Sequence, residues 1–207
     1  MSTLTLEHGN KSIDSLKIVV DCDGVLLDWA YAFDVWMLEQ GYKRISDTDK
    51  YYSQSLRYGI SDEESNRQIK KFNESGCVGF IPAFKDSVEY VTKLHNLGYK
   101  FDVLSCLDKD KYAQRLRMKN LIHLFGDVFD FMDCSLDHSE GKEVYLSKRY
   151  SGKDYYWIED SINNAESGQT IGLKSVIMNH EYNQEWKGLR VRNWKEIYSL
   201  ITNDSTH

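Results

Sequence analysis

The stretch KIVVDCDGVLLDW, from Lys17 to Trp29, constrains this chain more than any other. The run LKIVV, ending at Val20, is apolar and β-branched, the composition of a strand covered on both faces. It runs straight into two acids, Asp21 and Asp23, with Gly24 behind them. Two carboxylates so close repel each other. Such a pair ends a strand either because something positive comes to sit there or because it is a solvated turn.

Beyond Trp29 the chain alternates between helical and extended patterns. Trp29, Phe33, Trp36 and Met37 share one helical face before Gly41, and SDEE at Ser61–Glu64 is a capping box opening a helix toward Glu74. Pro82 restarts the chain, and Phe84, Val88, Val91 and Leu94 recur at helical spacing until Gly98. FDVLS ending at Ser105 is a second strand, with a Lys- and Arg-rich helix after it to Leu124. VFDFM is a third strand, KEVYLSKRY a helix, YYWIED a fourth strand, KSVIMN a fifth, and Asn193 with Glu196 caps a final helix. This order predicts an α/β fold, a doubly wound parallel sheet with helices on both faces. The segment 30–81 contains helices and aromatics but no convincing strand. It is expected to be a small helical cap inserted after the first strand, with the core at 13–29 and 82–207 and an N-terminal tail at 1–12.

Composition narrows the partners. A formal charge of −6 leaves no basic stripe for a nucleic-acid polymer. No apolar run approaches bilayer length, and the N-terminus lacks a secretory pattern. Cys22, Cys77, Cys106 and Cys134 show no CxxC pairing, the usage of free thiols in a reducing cytoplasm. Oligomeric state is not readable.

In a doubly wound sheet, ligands sit at the carboxyl ends of the strands. Asp21 and Asp23 end the first strand, Ser105 the second, and Glu159 and Asp160 the fourth. Carboxylates gathered there would cost about 4 kcal/mol per close pair at moderate screening. A hard divalent cation removes that cost, and Mg²⁺ suits an all-oxygen set. Acids, Mg²⁺ and one lysine make a site for a phosphoryl group, on which a carboxylate attacks in line while a neighbour handles the proton.

DCDGVLLDW resembles the first motif of the haloacid dehalogenase (HAD) superfamily, FDVLSCL its second, Lys142 in HSEGKEVYL its third and WIEDSINNAESG its fourth, in the family's order from Leu16 to Gly168. The resemblance implies a Rossmann-like core, a small-molecule phosphomonoester substrate and Mg²⁺. It implies Asp21 as nucleophile and metal ligand, and Asp23 as acid/base with its carbonyl on the metal. Gly24, Ser105 and Lys142 would bind the phosphoryl group, Lys142 balancing the nucleophile's charge. Asp160 would complete the metal site, with Glu159 as a further candidate. Lys109, Lys111 and Lys148 compete for the place of Lys142, and Asn164 stands where many members carry another acid. A diffuse similarity to the 5'(3')-deoxyribonucleotidase-like branch suggests a nucleotide. A phosphotransferase or mutase on the same site and a non-catalytic binding protein remain alternatives. Tyr31, Trp36, Tyr51, Tyr52 and Tyr58 are candidates for stacking a substrate ring, though helix packing explains most of them. HEYNQEW after the fifth strand reads as a lid loop or, more simply, a surface turn, and Cys22 should point into the core.

Overall fold

The computed structural model describes residues 16–107, 109–136 and 142–204. The expected tail at 1–12, the core's first residues 13–15 and the last residues 205–207 lie outside the described residues. Six parallel strands form one sheet: β1 Lys17–Val20, β2 Lys100–Cys106, β3 Phe129–Leu136, β4 Tyr156–Glu159, β5 Lys174–Met178 and β6 Leu189–Val191. Their spatial order is β3-β2-β1-β4-β5-β6. The chain therefore builds outward from β1 to one side, then returns to build on the other. The crevice beyond the strand ends at that reversal is the general ligand position of such sheets.

Strand alternation fills both faces. Ile18, Val20, Phe101, Val103 and Ile158 point into one core, with Val91 and Leu94 of α4 (Ser87–Asn96), Leu121 of α5 (Lys111–Phe125) and Trp194 of α8 (Trp194–Asp204). Their neighbours Val19, Leu104 and Trp157 point the other way, to Leu146 and Tyr150 of α6 (Glu143–Tyr150). Each of these strands is thus buried twice, which is why apolar residues dominate its sequence, and the one acid inside β2, Asp102, is tied to Lys17 Nζ at 3.0 Å and Tyr150 Oη at 2.9 Å. α7 (Ile162–Thr170) lies close on the sheet at Gly168, where a Cβ would come within 2.4 Å of Trp157 Cδ1 and 2.6 Å of Ser175 Oγ.

The segment after β1 holds α1 (Trp29–Glu39), α2 (Gln54–Tyr58), α3 (Asp62–Asn73) and a 3₁₀ turn at Gly76–Phe80, with no strand among the described residues. Trp29 stacks on Phe33 at 4.6 Å, and Phe33 and Trp36 both meet Phe72 edge-on, at 5.4 and 5.8 Å. Ser61 caps α3 by accepting the Glu64 amide at 3.1 Å. The return half of the expected box is missing, because the Glu64 carboxylate is taken by Tyr42 Oη at 2.6 Å and by Gln68 and Arg67. The two ends of the excursion meet: Leu27 bridges Ala83, Asp28 N donates to Pro82 O at 2.8 Å, and Phe84 N to Leu26 O at 3.1 Å.

β6 corrects the five-strand reading. It has three residues, its first residue Leu189 is half exposed, and tertiary pairing with β5 rather than composition makes it a strand. Among the described residues, no helix is long and apolar enough to cross a membrane.

Candidate active site

Register brings the acids together. Val20 pairs with Ile158, and Asp21 N donates to Ile158 O at 2.9 Å, so the residues after β1 and β4 leave the sheet side by side. Carboxylate oxygens of Asp21, Glu159 and Asp160 lie within 4.8 Å of one another, all three residues buried. Lys142, one residue ahead of α6, is 2% exposed and reaches both Asp21 Oδ1 and Glu159 Oε1 at 2.7 Å. Its ammonium also lies 5.1 Å from the centre of the Trp157 ring. The structure thus brings Lys142 to the acids, and the rivals Lys109, Lys111 and Lys148 take no part in these contacts.

Glu159 is spent on holding its neighbours. Oε1 accepts from Lys142 and from Asn164 Nδ2 at 2.7 Å, and Oε2 from the amides of Asp160 at 2.6 Å and Ser161 at 2.8 Å. Although its burial opposes ionisation, Lys142, a hydrogen bond with Asp160 and the Ser161 amide hold its carboxyl below the usual range. Asp21 and Asp160 behave oppositely. Burial pushes Asp21 up to about 7 against the pull of Lys142, and burial with the charges of Glu159 and Asp21 drives Asp160 well above its ordinary value. Three buried carboxylates thus face one ammonium, an excess of negative charge around oxygen donors that suits a hard divalent cation. Asp21 and Asp160 are the ligand candidates with oxygens to offer, and the bonds made by Glu159 argue against its being a third.

Gly24 has φ +79°, and a Cβ there would stand 2.4 Å from Asp160 Oδ2. A side chain would occupy the space in front of the acid. Ser105 is buried one residue before the end of β2, with no partner for its hydroxyl among the described residues. Its neighbour Cys106, and not Ser105, lines the pocket of about 40 Å³ formed with Asp21, Asp23, Lys142, Asp160 and Asn164. Cys22 points into the core as expected, fully buried. Asp23 stays partly exposed, and Arg117 Nη1 holds its Oδ1 at 2.5 Å.

Of the two readings of the segment after β5, a plain surface turn does not describe it, because its side chains bond Asp160. Tyr182 Oη donates to Asp160 Oδ2, Asn183 Nδ2 donates to Asp160 O at 2.9 Å, and His180 stacks on Tyr182 at 5.0 Å while its Nε2 meets Gly24 O at 2.8 Å. Tyr182 also receives the excursion: Tyr52 meets its ring edge-on at 5.3 Å, and the Arg57 guanidinium lies 5.8 Å from it. A cleft of about 1000 Å³ opens from Asp23 and Asp160 between excursion and core, lined by Trp29, Tyr31, Tyr52, Phe84 and others. Of the proposed stacking residues, Tyr31 and Tyr52 face this cleft. Trp36 packs inside the excursion, Tyr58 is buried with its hydroxyl on Asp34, and Tyr51 is not in the lining.

No family model matches the chain. An uncharacterized 32.4 kDa protein in the Gp30-rIII intergenic region of Enterobacteria phage T4 is 26% identical over 161 residues, which cover 74% of this chain and 57% of that protein. The chain therefore matches little more than half the length of this relative. Among solved structures, a haloacid dehalogenase-like family hydrolase from Streptococcus pneumoniae superposes with a TM-score of 0.63 at 13% identity, covering 92% of this chain and 100% of that one. A HAD phosphatase from Thermococcus onnurineus gives 0.58 at 17%, covering 89% and 97%. An archaeal beta-phosphoglucomutase from Pyrococcus sp. strain ST 04 gives 0.57 at 17%, covering 92% and 99%. Sheet order, helical excursion and these superpositions agree that the chain has the fold of the haloacid dehalogenase-like hydrolases.

Proposed function

We propose that this protein is a Mg²⁺-dependent phosphomonoesterase acting through a phosphoryl group on Asp21. The observation that carries the reading is Lys142, buried and 2.7 Å from both Asp21 and Glu159, with a third buried acid, Asp160, beside those two. Asp21, Asp160 and the Asp23 carbonyl would hold the metal, which neutralises phosphoryl oxygens when bound. Glu159 is assigned to anchoring Lys142. In the first step an Asp21 carboxylate oxygen forms a bond to phosphorus as the bond to the leaving oxygen breaks, and Asp23 gives that oxygen a proton. In the second, water adds to phosphorus, its proton returns to Asp23, and the Asp21 carboxylate is released with phosphate.

The cleft favours a substrate larger than a short-chain phosphate, and Trp29, Tyr31 and Tyr52 in its lining offer aromatic surface to a base. We assign a nucleotide monophosphate on these grounds. Free cysteines support a reducing cytoplasm as the location. A phosphoryl transfer to another hydroxyl is the second reading, favoured by the Tyr52–Tyr182 contact over the acids and by the likeness to a mutase. Hydrolysis of 4-nitrophenyl phosphate and a nucleotide panel tests both. We expect phosphate release that stops with a chelator and falls at least about a thousandfold in Asp21→Asn. Activity indifferent to both changes refutes the mechanism, and a transferred ester in place of free phosphate selects the second reading.

A further inference from the structure

Arg117 lies in the middle of α5 and is fully buried. Its inward-facing neighbours on that helix include Ala113, Leu121 and Phe125. A guanidinium among such side chains is strongly unfavourable unless it is paired, and an apolar residue of similar shape would pack there at lower cost. Its one charge partner among the described residues is Asp23, at 2.5 Å from Nη1 to Oδ1, and the same nitrogen donates to Cys22 Sγ at 3.0 Å. Nε and Nη2 have no partner among the described residues. Packing and hydrogen-bond satisfaction therefore leave the group unexplained, and the contact with Asp23 explains it.

We infer that Arg117 is a positioning residue for the proton-transfer step. The inference rests on the phosphomonoesterase reading. The guanidinium binds Asp23 from the core side through Oδ1 and fixes the side chain's rotamer. Oδ2 is then the oxygen presented to the cleft, where the leaving oxygen collects its proton. Arg117 touches no reacting atom itself. Loss of the tether leaves the attack by Asp21 intact and misplaces the proton donor. The penalty must depend on the leaving group: an alkoxide needs the proton as the bond breaks, and a nitrophenolate leaves without it.

The test compares wild type, Arg117→Met and Arg117→Lys on glycerol 2-phosphate and 4-nitrophenyl phosphate, together with a crystal structure of Arg117→Met. For Arg117→Met we expect kcat on the alkyl ester to fall about a hundredfold, kcat on the aryl ester to fall less than about fivefold, and both KM values to stay within about threefold. Arg117→Lys, which restores a charged donor, should recover at least about tenfold of the alkyl loss. The crystal structure should show the Asp23 carboxylate in a different or split rotamer. Equal losses on both esters, no loss on either, or an unmoved Asp23 overturns the inference. Should Arg117→Met not fold, Arg117→Gln carries the same comparison. If the wild type hydrolyses neither ester, the phosphomonoesterase reading fails, and the rotamer of Asp23 in the variant decides the positioning claim by itself.

Discussion

Lys142 illustrates how much one side chain can hold. It is nearly inaccessible to water and lies against two carboxylates, with a third close by. Removing one partner from a buried charge network costs about 3–5 kcal/mol, because the charges left behind are uncompensated. Lys142→Met should therefore lower unfolding stability by that order in urea titrations, besides abolishing phosphate release. A loss below about 1 kcal/mol would mean that water reaches the acids. In the sequence this lysine is one of several, and only its place in a motif singles it out. Arg117 leaves a fainter trace: it lies four residues from both Ala113 and Leu121, on the buried face of its helix, while the basic character of the segment suggests a solvated surface.

At the scale of elements, legibility tracks burial. β1, β2, β4 and β5 are covered on both faces, so apolar residues dominate each of them and announce it. β6 and the turn at Glu181–Asn183 carry no such constraint. The turn is built from polar residues that bond one another and Asp160, an arrangement without period in the sequence. α7 is set by close packing rather than by its own weak amphipathicity. Gly168 lets it lie against Trp157, and Trp157 Nε1 donates to Asn164 O at 3.0 Å, fixing the helix that carries the Glu159 partner Asn164. Gly168→Val must push α7 away from the sheet, at a cost of about 1–3 kcal/mol for overpacking. An unchanged urea midpoint would contradict so close a seat for that helix.

Over the whole molecule, core and excursion share the cleft, and its two sides are unequally legible. The acids at the strand tips follow from the sheet. The rings that face them depend on how α1, α2 and α3 pack, which spacing alone does not determine. Trp36 and Tyr52 make the difference measurable. Trp36→Ala empties the aromatic cluster and should cost about 3 kcal/mol of stability without reordering substrates. Tyr52→Ala should leave the unfolding midpoint nearly unchanged and raise KM for nucleotides about tenfold relative to 4-nitrophenyl phosphate, read from steady-state kinetics. The reverse pattern would exchange their assignments.

The hydrogen bonds between Asp28 and Pro82 and between Leu26 and Phe84 close the excursion at its root. The sheet below that clasp depends on how the core is re-entered and not on how many residues were spent outside it, since even doubling the length of a closed loop adds only about 0.6 kcal/mol. Chain length above the clasp can therefore grow, shrink or change composition while the strand tips keep their acids in place.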